Sequence, residues 1–157
     1  MSSSGAWMEY EEFNRIAPDA AAALRALGAA VEKSGLDKDL TELIKVRASQ
    51  MNGCAFCTQF HLNIARKAQV PAAKLDLVAV WQDSPVFSAR ERAALEWTEQ
   101  LTQPARGGAS AESYAALQAQ FDKSEIAFLT AAVANINAWN RIAGGLRFTP
   151  PVPGRNL

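Results

Sequence analysis

Histidine occurs once and cysteine only twice in this chain of 157 residues. Charge of one sign is also missing, because sixteen Lys and Arg balance sixteen Asp and Glu. A neutral chain has no global attraction to nucleic acid or to an anionic membrane, so neither is expected as a partner. No clean apolar run is long enough to span a bilayer. The most apolar stretch, Ile126 to Ala143, is interrupted by Asn135, Asn137, Asn140 and Arg141, and it reads as a buried helix. Met1 to Trp7 has neither a basic start nor an apolar core, which argues against a secretory signal. The expectation is a cytoplasmic protein whose cysteines rest as thiols unless turnover oxidises them. No Gly-rich phosphate loop is present; Gly107-Gly108 reads as a loop and Gly144-Gly145 as a helix stop. Strand alternation of useful length is absent too.

What is present is helical periodicity. With 49% hydrophobic and 20% charged residues, the chain suits one globular domain over residues 1–157. Asp19 to Lys33 is Ala-rich, carries Leu24, Leu27 and Val31 at helical spacing, and meets a stop at Gly35. Asp39 opens the next helix, which Asn52-Gly53 breaks. Another starts near Cys54 and runs to Val70-Pro71. Pro71 begins a helix through Leu75, Val78 and Trp81. Ser88-Ala89-Arg90-Glu91 and Asp122-Lys123-Ser124-Glu125 are capping boxes, and Ser110 starts a shorter helix between them. The reading is all-α, with about seven helices, a helical extension over about 1–35 and a Pro-containing tail over about 147–157. That tail is suited to pack on a neighbouring subunit. The apolar residues Phe128, Leu129, Val133, Ile136, Trp139 and Ile142 look too many for one small bundle to cover. Both features point to a homo-oligomer. Trp81, Trp97 and Trp139 read as core or subunit contacts, and Arg47 and Arg141 as salt-bridge residues.

The rare residues fall together in Cys54-Ala55-Phe56-Cys57-Thr58-Gln59-Phe60-His61. On a helix, Cys54, Cys57 and His61 share an arc of roughly 60°. Cys54 sits at the helix start, where exposed N–H groups favour a thiolate. A thiolate attacks peroxides and disulfides, and a second cysteine three residues away resolves a sulfenic acid before over-oxidation. An imidazole one turn on can take the thiol proton and return one to the leaving group. Other readings compete: buried core cysteines, a structural disulfide closing a very small loop, a zinc set completed by a carboxylate, and a merely structural histidine. The redox reading is preferred, with no metal and no cofactor.

The run from Glu42 through Cys54-x-x-Cys57-x-x-x-His61 resembles the core motif of the AhpD-like alkylhydroperoxidases, within the carboxymuconolactone decarboxylase superfamily. Trp81-Gln82-Asp83-Ser84-Pro85, Ser88-Ala89-Arg90-Glu91-Arg92 and Asn137-Ala138-Trp139-Asn140-Arg141 are similar to that family as well. The resemblance implies an AhpD-like helical bundle that assembles as trimers or hexamers. It implies reduction of organic or hydrogen peroxides with a thiol or dithiol reductant protein as partner. By family role, Cys57 forms the sulfenic acid, Cys54 resolves it and exchanges with the reductant, and His61 and Glu42 form a proton relay. Helix position alone favours Cys54 as the lower-pKa thiol. Periodicity alone makes Glu42 a solvated first-turn residue closing an Asp39-Leu40-Thr41-Glu42 capping box, and only the family spacing reverses that. Phe56 stands where some members carry another relay histidine. The alternatives are a decarboxylase of carboxymuconolactone type, against which the cysteine pair counts, and a non-catalytic redox-sensing oligomer.

Overall fold

The computed structural model describes residues 5–154, and every regular element among them is helical. The ends of the proposed extension and tail, residues 1–4 and 155–157, lie outside the described residues. Eight α-helices follow in order: α1 (Tyr10–Ile16), α2 (Pro18–Lys33), α3 (Lys38–Met51), α4 (Ala55–Lys67), α5 (Ala72–Leu77), α6 (Ala89–Thr102), α7 (Ala111–Gln118) and α8 (Lys123–Leu146). Two short 3₁₀ turns, Val78–Asp83 and Pro104–Arg106, complete them. The sequence reading of about seven helices is close. The helix it does not show is α1, only seven residues long, which packs a half-buried Tyr10 and Phe13 on the core and buries no residue fully.

Local chemistry sets most helix starts. Ser88 and Asp122 each accept the N–H of the residue three positions on, and Glu91 and Glu125 reach back to the cap N–H, as both capping boxes require. Ser110 caps α7 through the Ser113 N–H. Two expected boundaries move. The helix from Pro71 gives way after Leu77 to the 3₁₀ turn, where Val80 leaves helical geometry. That tighter turn presents the carbonyls of Trp81, Gln82 and Ser84 to the Arg92 guanidinium at 3.1, 2.9 and 3.1 Å. Gly144-Gly145 does not stop α8, which continues to Leu146 and ends at Arg147 in the left-handed region (φ 56°). The Phe148 N–H then returns to the Ala143 carbonyl at 3.0 Å and its ring is buried, so the stop comes from a Schellman-type closure with its apolar contact.

At the centre lies α3, packed against α4, α6 and α8. Leu40 through Ile44 are all buried, which no helix with a single apolar face would show. Much of α8 is covered by this same chain: Ile126, Leu129, Val133 and Ile136 are buried against α2, α3 and α6. Of the apolar residues attributed to subunit contacts, Leu129, Val133 and Ile136 are thus covered within the bundle, while Phe128, Trp139 and Ile142 are half-buried. The tail also lies on its own chain. Glu9 accepts from the Thr149 N–H (3.2 Å) and hydroxyl (2.7 Å), and Asn63 donates to the Pro151 carbonyl (2.9 Å). Among the described residues, no helix is long and apolar enough to cross a membrane.

Candidate active site

The α3–α4 turn places the cysteines. Gly53 takes φ +65°, a left-handed conformation that side chains disfavour. The chain then re-enters helix at Cys54, whose sulfur accepts the Cys57 N–H at 3.3 Å as the N-cap of α4. Both sulfurs are free thiols, with Cys54 2% and Cys57 3% exposed. They share their surroundings unequally. The hydrogen bond from Cys57, outweighing burial, lowers the Cys54 pKa, and the Asn140 amide adds to the effect. Donating that hydrogen bond raises the Cys57 pKa, and burial and the neighbouring Cys54 charge raise it further. At rest the pair therefore holds its proton on Cys57 and any negative charge on Cys54.

One turn beyond Cys57, His61 meets Glu42 of α3, with Nδ1 2.8 Å from Oε2. Glu42 is 0% exposed. Its other oxygen lies 3.1 Å from Lys45 Nζ and 3.5 Å from Lys38 Nζ. The capping-box reading of Glu42 is thereby corrected. The cap position of α3 is Asp37, with no side-chain cap bond, and the Glu42 carboxylate turns inward to His61. Burial alone would raise this carboxyl, but the hydrogen bond and charge of His61, then those of Lys45, bring it down to about 2. Burial lowers the His61 pKa by more than Glu42 raises it, so the ring is neutral near pH 7. A neutral His61 removes one charge from the Glu42 balance, yet its hydrogen bond and Lys45 remain, so the carboxylate stays ionised. An ionised carboxylate only accepts, which makes Nδ1 the donor and leaves the Nε2 lone pair as a base.

His61 lies on a cavity of about 330 Å³. Cys57, His61 and Glu42 line it, and Tyr10, Phe56, Phe60 and Trp139 form an aromatic wall. Cys54 does not line this cavity. It borders another of about 310 Å³, with Gly53, Arg147, Phe148 and Pro150, and Phe56 lines both. The four residues singled out from sequence thus come together, but the two sulfurs look out on different spaces. Among the described residues, no group of three or more His, Cys, Asp or Glu is placed to hold a metal ion.

Residues 18–100, more than half of the chain, match the carboxymuconolactone decarboxylase family. The chain belongs to that family. Within it the fold and sequence are of AhpD-like kind. An uncharacterized protein of Bacillus subtilis, YdfG, is 31% identical over 83% of this chain and 89% of its own length. A crystal structure of an Agrobacterium tumefaciens protein of unknown function, with a suggested role in antioxidant defence as AhpD, is 40% identical. It superposes with a TM-score of 0.85 over 89% of this chain and 96% of that one. The debrominase Bmp8 superposes with a TM-score of 0.77 over 86% of this chain and 73% of its own, at 22% identity, which shows the fold alone.

For this AhpD-like chain, sequence reasoning missed the residues that support the pair from behind. Asn140 of α8 donates to Ser49 Oγ at 2.9 Å and accepts from Asn52 at 2.8 Å, while its amide also reaches the sulfurs. Asn137 and Thr102 extend this polar cluster. The run Asn137-Ala138-Trp139-Asn140 was the visible signal, since two amides in an otherwise apolar helix require partners. Lys45 and Tyr10 had no such signal. Phe56, in place of a further histidine, stacks on Phe60 (5.7 Å between centroids) and meets Tyr10 (5.4 Å) and Phe148 (5.3 Å edge-on), so it is wall rather than relay. Arg47 pairs with Glu99 at 2.7 Å, and Trp81 Nε1 donates to the same carboxylate at 2.8 Å. Trp81 and Trp97 are buried, whereas Trp139 lines the cavity.

Proposed function

We propose that this protein is a thiol-dependent peroxidase that reduces organic or hydrogen peroxides through Cys57 and Cys54. The observation that carries the reading is the meeting of Cys57 with a Glu42-oriented, neutral His61 in one cavity. Peroxide in that cavity reaches Cys57. His61 Nε2 takes the Cys57 proton, and the thiolate attacks the terminal peroxide oxygen. The O–O bond breaks, the alkoxide leaves, and imidazolium returns the proton to give the alcohol and a Cys57 sulfenic acid. Cys54 thiolate then attacks the Cys57 sulfur, the S–O bond breaks, and the hydroxyl leaves as water after taking a proton. The resulting disulfide accepts two electrons and two protons from a dithiol reductant, which restores both thiols. Since Cys54 borders the second cavity, that side suits reductant approach.

Asn140 supports the same reading, because its amide steadies negative charge on the pair. Bmp8 bears the same fold with a different activity, so the fold cannot choose the chemistry. Peroxide consumption with a dithiol donor, run with mass spectrometry, tests it directly. Mild peroxide is expected to remove two hydrogens, mapped to a Cys54–Cys57 bridge, and the donor is expected to sustain many turnovers. One oxidation event without turnover would instead mark a redox sensor.

Assembly as a homo-oligomer, a trimer or hexamer, is proposed from the family likeness. Exposed Trp7, Ile16 and Val80 supply apolar surface for it. Light scattering after size exclusion is expected to give a multiple of the 16.9 kDa chain mass. A stable monomer at micromolar concentration would refute it and leave the thiol chemistry intact.

A further inference from the structure

Arg25 has no part in the chemistry above, yet it lines the cavity that holds Cys57 and His61. Along α2, Arg25, Gly28, Ala29 and Glu32 all line it, at the three- and four-residue steps that share one helix face. The two charged residues stand two turns apart, roughly 10 Å at 1.5 Å per residue. The two residues between them carry no bulk. Glu32 joins a chain of ion pairs that leads to the reacting end. Lys38 lies 2.7 Å from Glu32 and 3.5 Å from Glu42, Lys45 lies 3.1 Å from Glu42, and Glu42 lies 2.8 Å from His61. Arg25 stands outside that chain. Its Nη1 donates to Asn14 Oδ1 of α1 at 2.8 Å, and among the described residues it pairs with no carboxylate. The cavity therefore has three cations (Arg25, Lys38, Lys45) against two carboxylates (Glu32, Glu42), and the surplus positive charge belongs to Arg25. An entering monoanion meets a guanidinium with free N–H donors in the planar fork that suits a carboxylate. A phosphate dianion would exceed the surplus. Arg25 is exposed, so a carboxylate paired with it stays at the mouth and keeps part of its hydration.

We propose that Arg25 is a specificity-determining residue, and that the preferred substrate is a mid-sized hydroperoxy acid, an alkyl hydroperoxide with a carboxylate at the end remote from its peroxy group. This rests on the peroxidase reading for the reacting end. The carboxylate lies on the Arg25 guanidinium, the hydrocarbon body along Gly28 and Ala29 and the aromatic wall, and the peroxy group at Cys57 and His61. At about 330 Å³ the cavity is at the small end of the range for ligand pockets, about 300–1,000 Å³, which suits a chain of medium length rather than a long lipid tail. Holding the acid end fixes the position of the other end, where the O–O bond must meet the sulfur.

The test uses two unreactive product analogues, 8-hydroxyoctanoate and its near-isosteric neutral partner 8-hydroxyoctanamide, titrated into the reduced protein by calorimetry. The carboxylate is expected to bind about five-fold more tightly at low salt, and the ratio is expected to shrink as added salt screens the exposed Arg25. Arg25→Gln is expected to bring the ratio to about one, and Arg25→Glu to invert it. Arg25→Lys is expected to keep part of it, because a point charge lacks the fork. Helical circular dichroism is expected to be retained in all three, since the side chain is exposed. Equal binding of the two alcohols to the wild type would overturn the proposal. So would a carboxylate preference that survives Arg25→Gln, which would put the anion on Lys38 or Lys45. A variant that weakens both alcohols alike and keeps their ratio would also overturn it, because that marks a brace between α1 and α2. The matching hydroperoxides are then assayed for turnover, where Arg25→Gln is expected to raise KM for the acid with little change in kcat. If neither hydroperoxide is consumed, the peroxidase reading fails, while the alcohol titrations still decide the role of Arg25.

Discussion

Cys57→Ser is expected to abolish peroxide turnover, by about 10³-fold or more, while Cys54→Ser is expected to complete one reduction and stop. The two variants separate questions that the resting thiols answer differently. Charge at rest favours Cys54, which accepts hydrogen bonds from Cys57 and Asn140. Access favours Cys57, which shares its cavity with His61. Access decides the attacking atom, because a thiolate that cannot meet peroxide beside a proton donor cannot assist O–O cleavage. The low-pKa Cys54 is instead suited to the second step, as a ready nucleophile toward a sulfenic acid one turn away. Cys54→Ser treated with one equivalent of peroxide should therefore accumulate a sulfenic acid on Cys57, captured by dimedone and mapped by peptide mass. Both variants should keep helical circular dichroism, since serine is close in size. Dimedone capture on Cys54 in the Cys57→Ser protein, with a full burst of peroxide loss, would reverse the assignment.

What could be read from sequence follows the range of the forces involved. Ser88, Ser110 and Asp122 declare their helices because a cap bond spans only three residues. The Cys54–Cys57–His61 face was legible for the same reason, being fixed by helical spacing. Glu42 was misread by periodicity because α3 is enclosed on several sides, so burial there no longer follows a stripe, and its histidine partner lies 19 residues away. Asn140 reaches Asn52 across 88 residues and Glu9 reaches Thr149 across 140. The amides of α8 signal a need for partners, but nothing local names Asn52 or Thr149 as the partner. The tail was expected on a neighbour because its prolines leave few internal bonds; Glu9 and Asn63 supply them from within the chain.

Glu42→Gln is expected to lower kcat/KM for peroxide by about 10²-fold and to destabilise the fold. The amide keeps the shape but not the charge. Lys45 and Lys38 lose their shared counter-ion, and His61 loses the carboxylate that fixes its tautomer. The stability term has a defined pH window. The folded carboxyl lies at about 2 against 4.5 for the free group, so its contribution is whole above pH 4.5 and fades as pH falls toward 2. That contribution is up to about 3 kcal/mol at neutral pH. Urea titrations at a series of pH values should show wild-type stability falling through that window and a flatter dependence in the variant. A buried brace with no catalytic part would behave the same way, so the rate profile must decide. His61 already titrates below its ordinary 6.5, and Glu42 is the group that holds it from falling further. Removing the carboxylate should move the acid limb of kcat/KM to lower pH while the plateau drops, because a weaker base stays neutral longer but draws the Cys57 proton less well. An acid limb that does not move, beside the same loss of stability, would leave Glu42 as a structural anion and break the relay.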